Sequence, residues 1–505
     1  MRRHPLVSLF LSALLLQADP PKLDALFPAG GARGETLQVK AIGKFGSWPL
    51  GVWTDHPGIS IEANATKGLL HFSIAPEAKL RPALVRLFDA NGSSSARTFV
   101  ISKHEETREI ESNNHRGRAQ DINVTRQETI VNGILKKDDS DFFRVYLKRG
   151  QTLKARAEAY SLGSMVDPFL SLLDSEGHEV ALASDSHNLD PRLAYEAKAC
   201  GPYYLQLFGV AHPAATFIGY SGSDSAVYRL GLALGEPKEK DLGTVHKEYE
   251  LPDENGSRRI LFPSSVADFL SNRGEVDSYV FEAKKRQKCQ LRVDAQSLGL
   301  ITDPVMTLHR PGGTLLKEAD DGKGTRDAAY LSSSIPEDGN YTVRIWDRFR
   351  RGGKTFRYRF TISNPKPELV TGANKESIVL ETNGTASLKL SFTRKNGNKN
   401  SLRMKTVPPL PNGVTLEDAN ASAKATQTDL PFRASPDAKP ANLAFRIRMI
   451  EIDENNATVK SFAKHSLLTR TKKGDYLVNE TPWLHITVKT APPPKKKEEG
   501  KEAQL

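Results

Sequence analysis

Ser161-Leu162-Gly163-Ser164-Met165-Val166-Asp167-Pro168 returns 136 residues later as Ser297-Leu298-Gly299-Leu300-Ile301-Thr302-Asp303-Pro304. The same offset aligns Asp141 with Asp277, Gln151 with Gln287, Arg156 with Arg292, Leu172 with Leu308 and Gly177 with Gly313. One offset held over this span marks a duplicated domain, because solenoid repeats have periods of roughly 20–50 residues. Inside each copy the apolar period is two. Phe143, Val145 and Leu147 alternate with Arg144, Tyr146 and Lys148, and Tyr279, Phe281 and Ala283 take the same places in the second copy. Such alternation belongs to strands with one buried face. A later strand pairs Tyr203, Leu205 and Leu207 with Tyr341, Val343 and Ile345 at an offset of 138, so two extra residues enter a loop. Asp174-Ser175-Glu176-Gly177 and Arg310-Pro311-Gly312-Gly313 read as turns. Short strands with frequent turns and no long helical stretch predict an all-β chain of tandem antiparallel β-sandwiches, jelly-roll or immunoglobulin-like.

Val131-Asn132-Gly133, Asp139-Ser140-Asp141-Phe142-Phe143, Lys148-Arg149-Gly150-Gln151, Asp167-Pro168, Leu172-Leu173-Asp174 and Gly201-Pro202-Tyr203-Tyr204 resemble the bacterial pre-peptidase C-terminal (PPC) domain. The second copy is similar to it through Asp277-Ser278-Tyr279, Asp303-Pro304 and Asp338-Gly339-Asn340-Tyr341. The resemblance covers about half of the chain. It implies jelly-roll-like, non-catalytic modules of the kind attached to exported proteases, where related modules bind matrix proteins or carbohydrate. The whole arrangement also resembles exported proteins of planctomycete-type bacteria.

Strand-length segments flank the repeats. Before them, Leu37, Val39 and Ala41, then Leu69, His71 and Ser73, and Leu84, Arg86 and Phe88 are punctuated by Gly30-Gly31, Pro57-Gly58, Asn64 and Asn91-Gly92. Pro28 to Glu35 is similar to the opening of transcription-factor-type immunoglobulin (TIG) sandwiches. His104 to Gln120, rich in charge and Asn, reads as a connector. After the repeats, Leu388, Leu390 and Phe392, then Leu443, Phe445, Ile447 and Met449, and last Leu484, Ile486 and Val488 give a further sandwich. The expected division is 1–18 signal peptide, 19–105 TIG-like sandwich, 106–240 and 241–365 PPC-like copies, 366–490 immunoglobulin-like sandwich and 491–505 charged, mobile tail.

At 505 residues the chain exceeds one core, and 38% hydrophobic with 26% charged residues excludes disordered, fibrous and membrane-embedded classes. Met1-Arg2-Arg3, the apolar run Pro5 to Leu16 and Ala18 before Asp19-Pro20-Pro21 predict a cleaved secretory signal. The run is too short to span a bilayer, so no membrane span is expected after cleavage. The expected location is the periplasm, cell surface or exterior. The net charge of +11 is spread along the chain without a basic, aromatic-interleaved stripe, which argues against nucleic acid. Cys200 and Cys289 are too few for a disulfide scaffold and read as two separate, buried thiols, the alternative being one interdomain bond.

Chemical motifs are sparse. Gly219-Tyr220-Ser221-Gly222-Ser223 lacks the last Gly of a nucleophile elbow, and His104-Glu105-Glu106-Thr107-Arg108 lacks the second His of a zinc motif. The twelve histidines are scattered singly. No catalytic residue is assigned. Acidic loops are the remaining candidates: Asp167, Asp174, Asp185 and Asp190 in the first copy, and Asp303, Asp320, Asp321 and Asp327 in the second. Calcium takes several carboxylate and carbonyl oxygens, and Asp equally favours turns without any metal. In the second set convergent carboxylates would repel until an ion neutralised them. Trp48, Trp53, Tyr220 and Tyr228 are candidate stacking aromatics, with core packing the alternative. Nine Asn-x-Ser/Thr sites, among them Asn64, Asn123, Asn340 and Asn479, matter only in a eukaryotic secretory pathway. The expected function is a non-catalytic exported protein that binds an envelope or extracellular protein or a polysaccharide. No cofactor is required, with calcium the one candidate. The alternative is an exported hydrolase, a protease, or its accessory subunit.

Overall fold

The alternation along Ser140–Leu147 sorts its side chains across the strand: Phe143, Val145 and Leu147 are buried while Arg144 and Tyr146 face out. In the computed structural model, residues 19–164, 166–184, 186, 189–211, 219–235, 256–321, 327–332, 334–416, 419–453, 458–466 and 480–491 are described. They form tandem β-sandwiches with only three short 3-10 turns as helical structure. The expected signal, the terminal tail and Asp185 lie outside these residues. Among the described residues no helix is long and apolar enough to cross a membrane.

The first repeat packs two sheets face to face. One runs Thr129–Ile134, Val227–Leu234, Thr152–Glu158, Arg192–Glu196; the other runs Ser140–Leu147, Gly201–Ala211, Val166–Leu173, Glu179–Ala183. The second repeat keeps both orders, with Ser264–Phe269, Arg357–Ser363, Cys289–Asp294, Ala328–Ser332 in one sheet. Its other sheet is Asp277–Ala283, Gly339–Asp347, Pro304–His309, Leu315–Ala319. Most pairs are antiparallel, but short parallel strands, Gln120–Asp121 and Ser257–Arg259, lie at equivalent edges. The cores sit between the sheets, around Phe143, Leu170 and Leu205 in one repeat and Phe281, Leu291 and Val343 in the other. Two further sandwiches flank them, centred on Phe72, Leu87 and Phe99 and on Leu390, Phe432 and Phe445.

The repeated Ser-Leu-Gly motif has a mechanical origin. Tyr160–Leu162 and Gln296–Leu298 are 3-10 turns, each closed by a glycine in the left-handed region, Gly163 at φ 95° and Gly299 at φ 73°. The turn leaves backbone N–H groups unpaired, and a buried aspartate satisfies them. Asp190 accepts from the amides of Ala159 (2.9 Å), Tyr160 (2.8 Å) and Ser161 (3.1 Å). Asp327 accepts from Ala295 (2.7 Å), Gln296 (2.9 Å) and Ser297 (3.3 Å) in the same way.

Two expectations need correction, the 104–120 connector and a buried Cys200. In Leu69–Ile74 the inward residues are Leu70, Phe72 and Ile74, one position out of phase with Leu69, His71 and Ser73. In Pro82–Asp89 the sandwich interior takes Ala83, Val85 and Leu87; Leu84, Arg86 and Phe88 lie on the opposite face. The segment 104–120 is no mere connector: Glu106–Arg108 pairs in parallel with Thr129–Ile134, and Glu106 ion-pairs with the fully buried Arg229. Cys289 is buried and Cys200 exposed, and both are unpaired.

The opposite face of Pro82–Asp89 explains how the sandwiches meet, because the final one covers it. Arg86, wholly buried, donates to Trp483 O (3.2 Å) and pairs with Glu376 (3.2 Å). Trp53 meets Trp483 edge-on at 5.3 Å, and Phe88 meets His485 at 5.3 Å. Next to a buried guanidinium, the His485 imidazole is held down to about 4 by burial first and by Arg86 second. The first sandwich also shares a small apolar cluster with the first repeat, Ala25 and Ala29 against Leu162 and Val227. Arg192 reaches Gly299 O of the second repeat at 2.7 Å.

Candidate functional site

The deepest charge cluster lies at one end of the first repeat. Strand Ser140–Leu147 carries Asp141 fully buried, and the preceding segment lays Glu109 and Glu111 over it. Carboxylate oxygens of the three lie within 4.8 Å of one another. Glu109 reaches in because strand Thr129–Ile134 has Gly133 there; a Cβ would stand 2.2 Å from Glu109 Oε2 and from the Tyr228 hydroxyl. Tyr228, buried and opposite Gly133, donates to Glu109 Oε2 at 2.7 Å, and Ile134 N donates to its other oxygen at 2.8 Å. In the orientation that satisfies its neighbours, the Asn113 amide donates to Asp141 Oδ1 (3.1 Å) and Glu111 Oε2 (3.3 Å). Asn114 donates to Asp139, which is also buried.

No Lys or Arg among the described residues pairs with Glu109, Glu111, Asp139 or Asp141. Desolvation and the charge of Glu109 push the Asp141 carboxyl up to about 9, and burial also raises Glu109. The set offers what a hard divalent cation takes: carboxylates, one of them exposed in Glu111, beside asparagine side chains. Sequence reasoning missed Glu109, Glu111 and Asp141 as a group. The available signal was Glu-x-Glu-x-Asn at 109–113 followed by Asp-Ser-Asp at 139–141.

The second repeat fills the same point differently. Asp277 stands where Asp141 does, and Tyr358, the counterpart of Tyr228, donates to it. Asp268 faces Tyr358 in the register in which Gly133 faces Tyr228, so its carboxylate takes the space that Glu109 enters. The cation is internal. Arg258 pairs with Asp268 and lies 3.7 Å from Asp277. Tyr279 donates to Asp268 at 2.9 Å and shares a 2.7 Å hydrogen bond with Tyr358.

Of the aspartates singled out from sequence, Asp303, Asp320 and Asp321 come together within 4.8 Å. Arg348 sits among them, paired with Asp320 and 4.0 Å from Asp321. Asp327 is elsewhere, under its 3-10 turn, as is Asp190, whose carboxyl burial pushes up to about 6. Asp174 accepts the amides of Glu176 and His178 at 2.9 Å within its turn, and Asp167 lies on Val166–Leu173 opposite Val210. Tyr228 is core, Trp48 is half-buried with its N–H on Asn64 O (2.6 Å), Trp53 packs on Trp483, and Tyr220 is 36% exposed.

No protein-family model matches the chain, and no curated protein does. Among solved structures it is similar to the pre-peptidase C-terminal domain of collagenase from Bacillus anthracis, at 11% identity and TM-score 0.18, covering 21% of this chain and 93% of that one. It is also similar to the N-terminal four Ig domains of Dscam1 isoform 8.4 (9% identity, TM-score 0.21, 94% and 98% covered). Fibronectin(III)-like modules of Clostridium thermocellum CbhA match at 10% identity and TM-score 0.15, over 45% and 94%. At these values the fold rests on the sheets themselves: the chain is a tandem array of β-sandwiches.

Proposed function

We propose that the chain is a non-catalytic, exported binding protein whose duplicated PPC-like modules help to hold a matrix polymer, glycan or partner protein, and whose first repeat is locked by calcium at Glu109, Glu111 and Asp141. The observation that carries this reading is the contrast at one interior point: the repeats share strand order and an Asp-Tyr pair, but only the second supplies its own cation. A duplicated scaffold whose buried charges differ between copies serves shape and stability rather than a shared reaction. Two modules on one chain also raise avidity for a repetitive ligand. Calcium at Asp303, Asp320 and Asp321 is the weaker option, because Arg348 already places one cation against Asp320 and Asp321. The test is to incubate the purified chain with peptide and glycan panels and follow capture and turnover together. Capture without turnover is expected; turnover abolished by one Ser, His or Asp substitution would replace this reading with the hydrolase one.

A further inference from the structure

A cavity of about 560 Å³ opens where the first sandwich, the first repeat and the final sandwich meet. That volume falls in the range of small-molecule sites. Its apolar wall is Leu84, Val100, Leu162 and Trp483, one or two from each of the three bodies. The indole is held in place: Arg446 stacks on it at 4.4 Å, Trp53 meets it edge-on, and its backbone oxygen accepts from Arg86 and His465. The polar wall carries Asp55, Arg156, Glu158, Asp190, Arg192 and Glu480.

The charges of that wall are already matched inside the protein. Glu158 is shared by Arg156 and Arg229, Asp55 is paired with Arg81 at 3.0 Å, Glu480 with Lys464 at 3.5 Å, and Asp190 is spent on the 3-10 turn. A cationic ligand would find no uncommitted carboxylate, and an anionic one would meet four carboxylates against the two guanidiniums of Arg156 and Arg192. Arg192 gives one guanidinium nitrogen to Gly299 O; its remaining N–H groups have no other partner among the described residues. Thr98 adds a hydroxyl. Paired carboxylates that still accept, the spare N–H groups of Arg192, the Thr98 hydroxyl and a fixed indole suit a ring with hydroxyls at its edge and C–H groups on its face.

We propose that this junction binds an uncharged saccharide of one or two rings. The inference deepens the binding-protein reading by naming a ligand class and a place for it. The experiment is titration calorimetry of the full chain with neutral hexoses, N-acetylhexosamines and their disaccharides, with glucuronic acid and spermine as charged arms. Leu84→Trp, which fills the cavity from the first sandwich, and Arg192→Leu, which removes the spare donors, are compared at unchanged Tm. The expected result is saturable binding of a neutral saccharide, weakened at least tenfold in either folded variant. Binding of only the charged probes, no saturation with any neutral sugar, or equal affinity in the wild-type chain and both variants would overturn the proposal. Glycan capture that survives in both variants would leave the binding-protein reading standing and remove this site.

Discussion

The two repeats solve one electrostatic problem in two ways. Each buries an aspartate, Asp141 or Asp277, under a tyrosine hydroxyl at the same place between its sheets. In the second repeat Arg258 neutralises Asp277 and Asp268. In the first, three carboxylates meet, hydrogen bonds from Tyr228, Ile134 and Asn113 reach them, and no Lys or Arg among the described residues pairs with them. The two units thus share strand order and the buried Asp, and among the described residues the second alone places a cation beside it. The lesson is that a repeated fold preserves where a charge must be balanced, while the balancing group is free to come from an adjacent segment, a strand or solution.

The largest effect is expected from removing the internal cation. Arg258→Ala leaves Asp268 and Asp277 without a counter-charge, and truncating one partner of a buried pair costs about 3 kcal/mol or more. Denaturant unfolding should show that loss in the second-repeat transition; an unchanged midpoint would mean that Arg258 is not what balances Asp277. A smaller loss is expected alike in both repeats from their shared cap. Asp190→Ala and Asp327→Ala each strand buried amides, at about 1–3 kcal/mol. A loss confined to one repeat would break the equivalence of the two turns.

Acid sharpens the comparison further. The Asp277 carboxyl is pushed up to about 6, by burial first, from an ordinary value of 3.8. The native state then binds the proton more tightly than the unfolded state, so this contribution is full below about pH 4 and is lost as pH rises through about 6. Stability measured from below to above that window should fall by about 3 kcal/mol from this group. In Asp277→Asn the decline should flatten, and an unaltered slope would assign it to another acid. The smallest expected effect is chemical. Cys200 should react with a thiol reagent in the native chain at no cost in Tm, whereas Cys289, buried and pushed up to about 11, should react only on unfolding. Equal rates would contradict the burial of Cys289.

How much of this was legible in sequence depends on which side of a strand had a covering partner. Ser140–Leu147 read correctly because its outer face, Arg144 and Tyr146, meets solvent and the alternation is clean. Pro82–Asp89 was legible as a strand but not in its burial, because it is covered on both faces, by its own core and by the final sandwich. Leu69-Leu70 offered two phases, and only packing chose Leu70. The Asp303, Asp320 and Asp321 cluster was legible through its adjacent pair of acids. Glu109 and Asp141 are 32 residues apart, the first in a stretch that reads as charged connector and the second in the repeat, and the empty space at Gly133 that joins them exists only in three dimensions. Asp190 and Asp327 show the converse, since acids placed near turns were spent on backbone amides.

The central claim is that the first repeat takes its missing positive charge from solution. The direct measurement is calorimetric unfolding of the full chain in millimolar calcium against chelator, for the wild type and for Glu109→Gln, Glu111→Gln. Saturation a hundredfold above Kd would stabilise the bound state by about 2.7 kcal/mol. The account predicts a calcium-dependent rise in the first-repeat transition of several degrees in the wild type and none in the double variant. No rise in the wild type, or an equal rise in both, would contradict it.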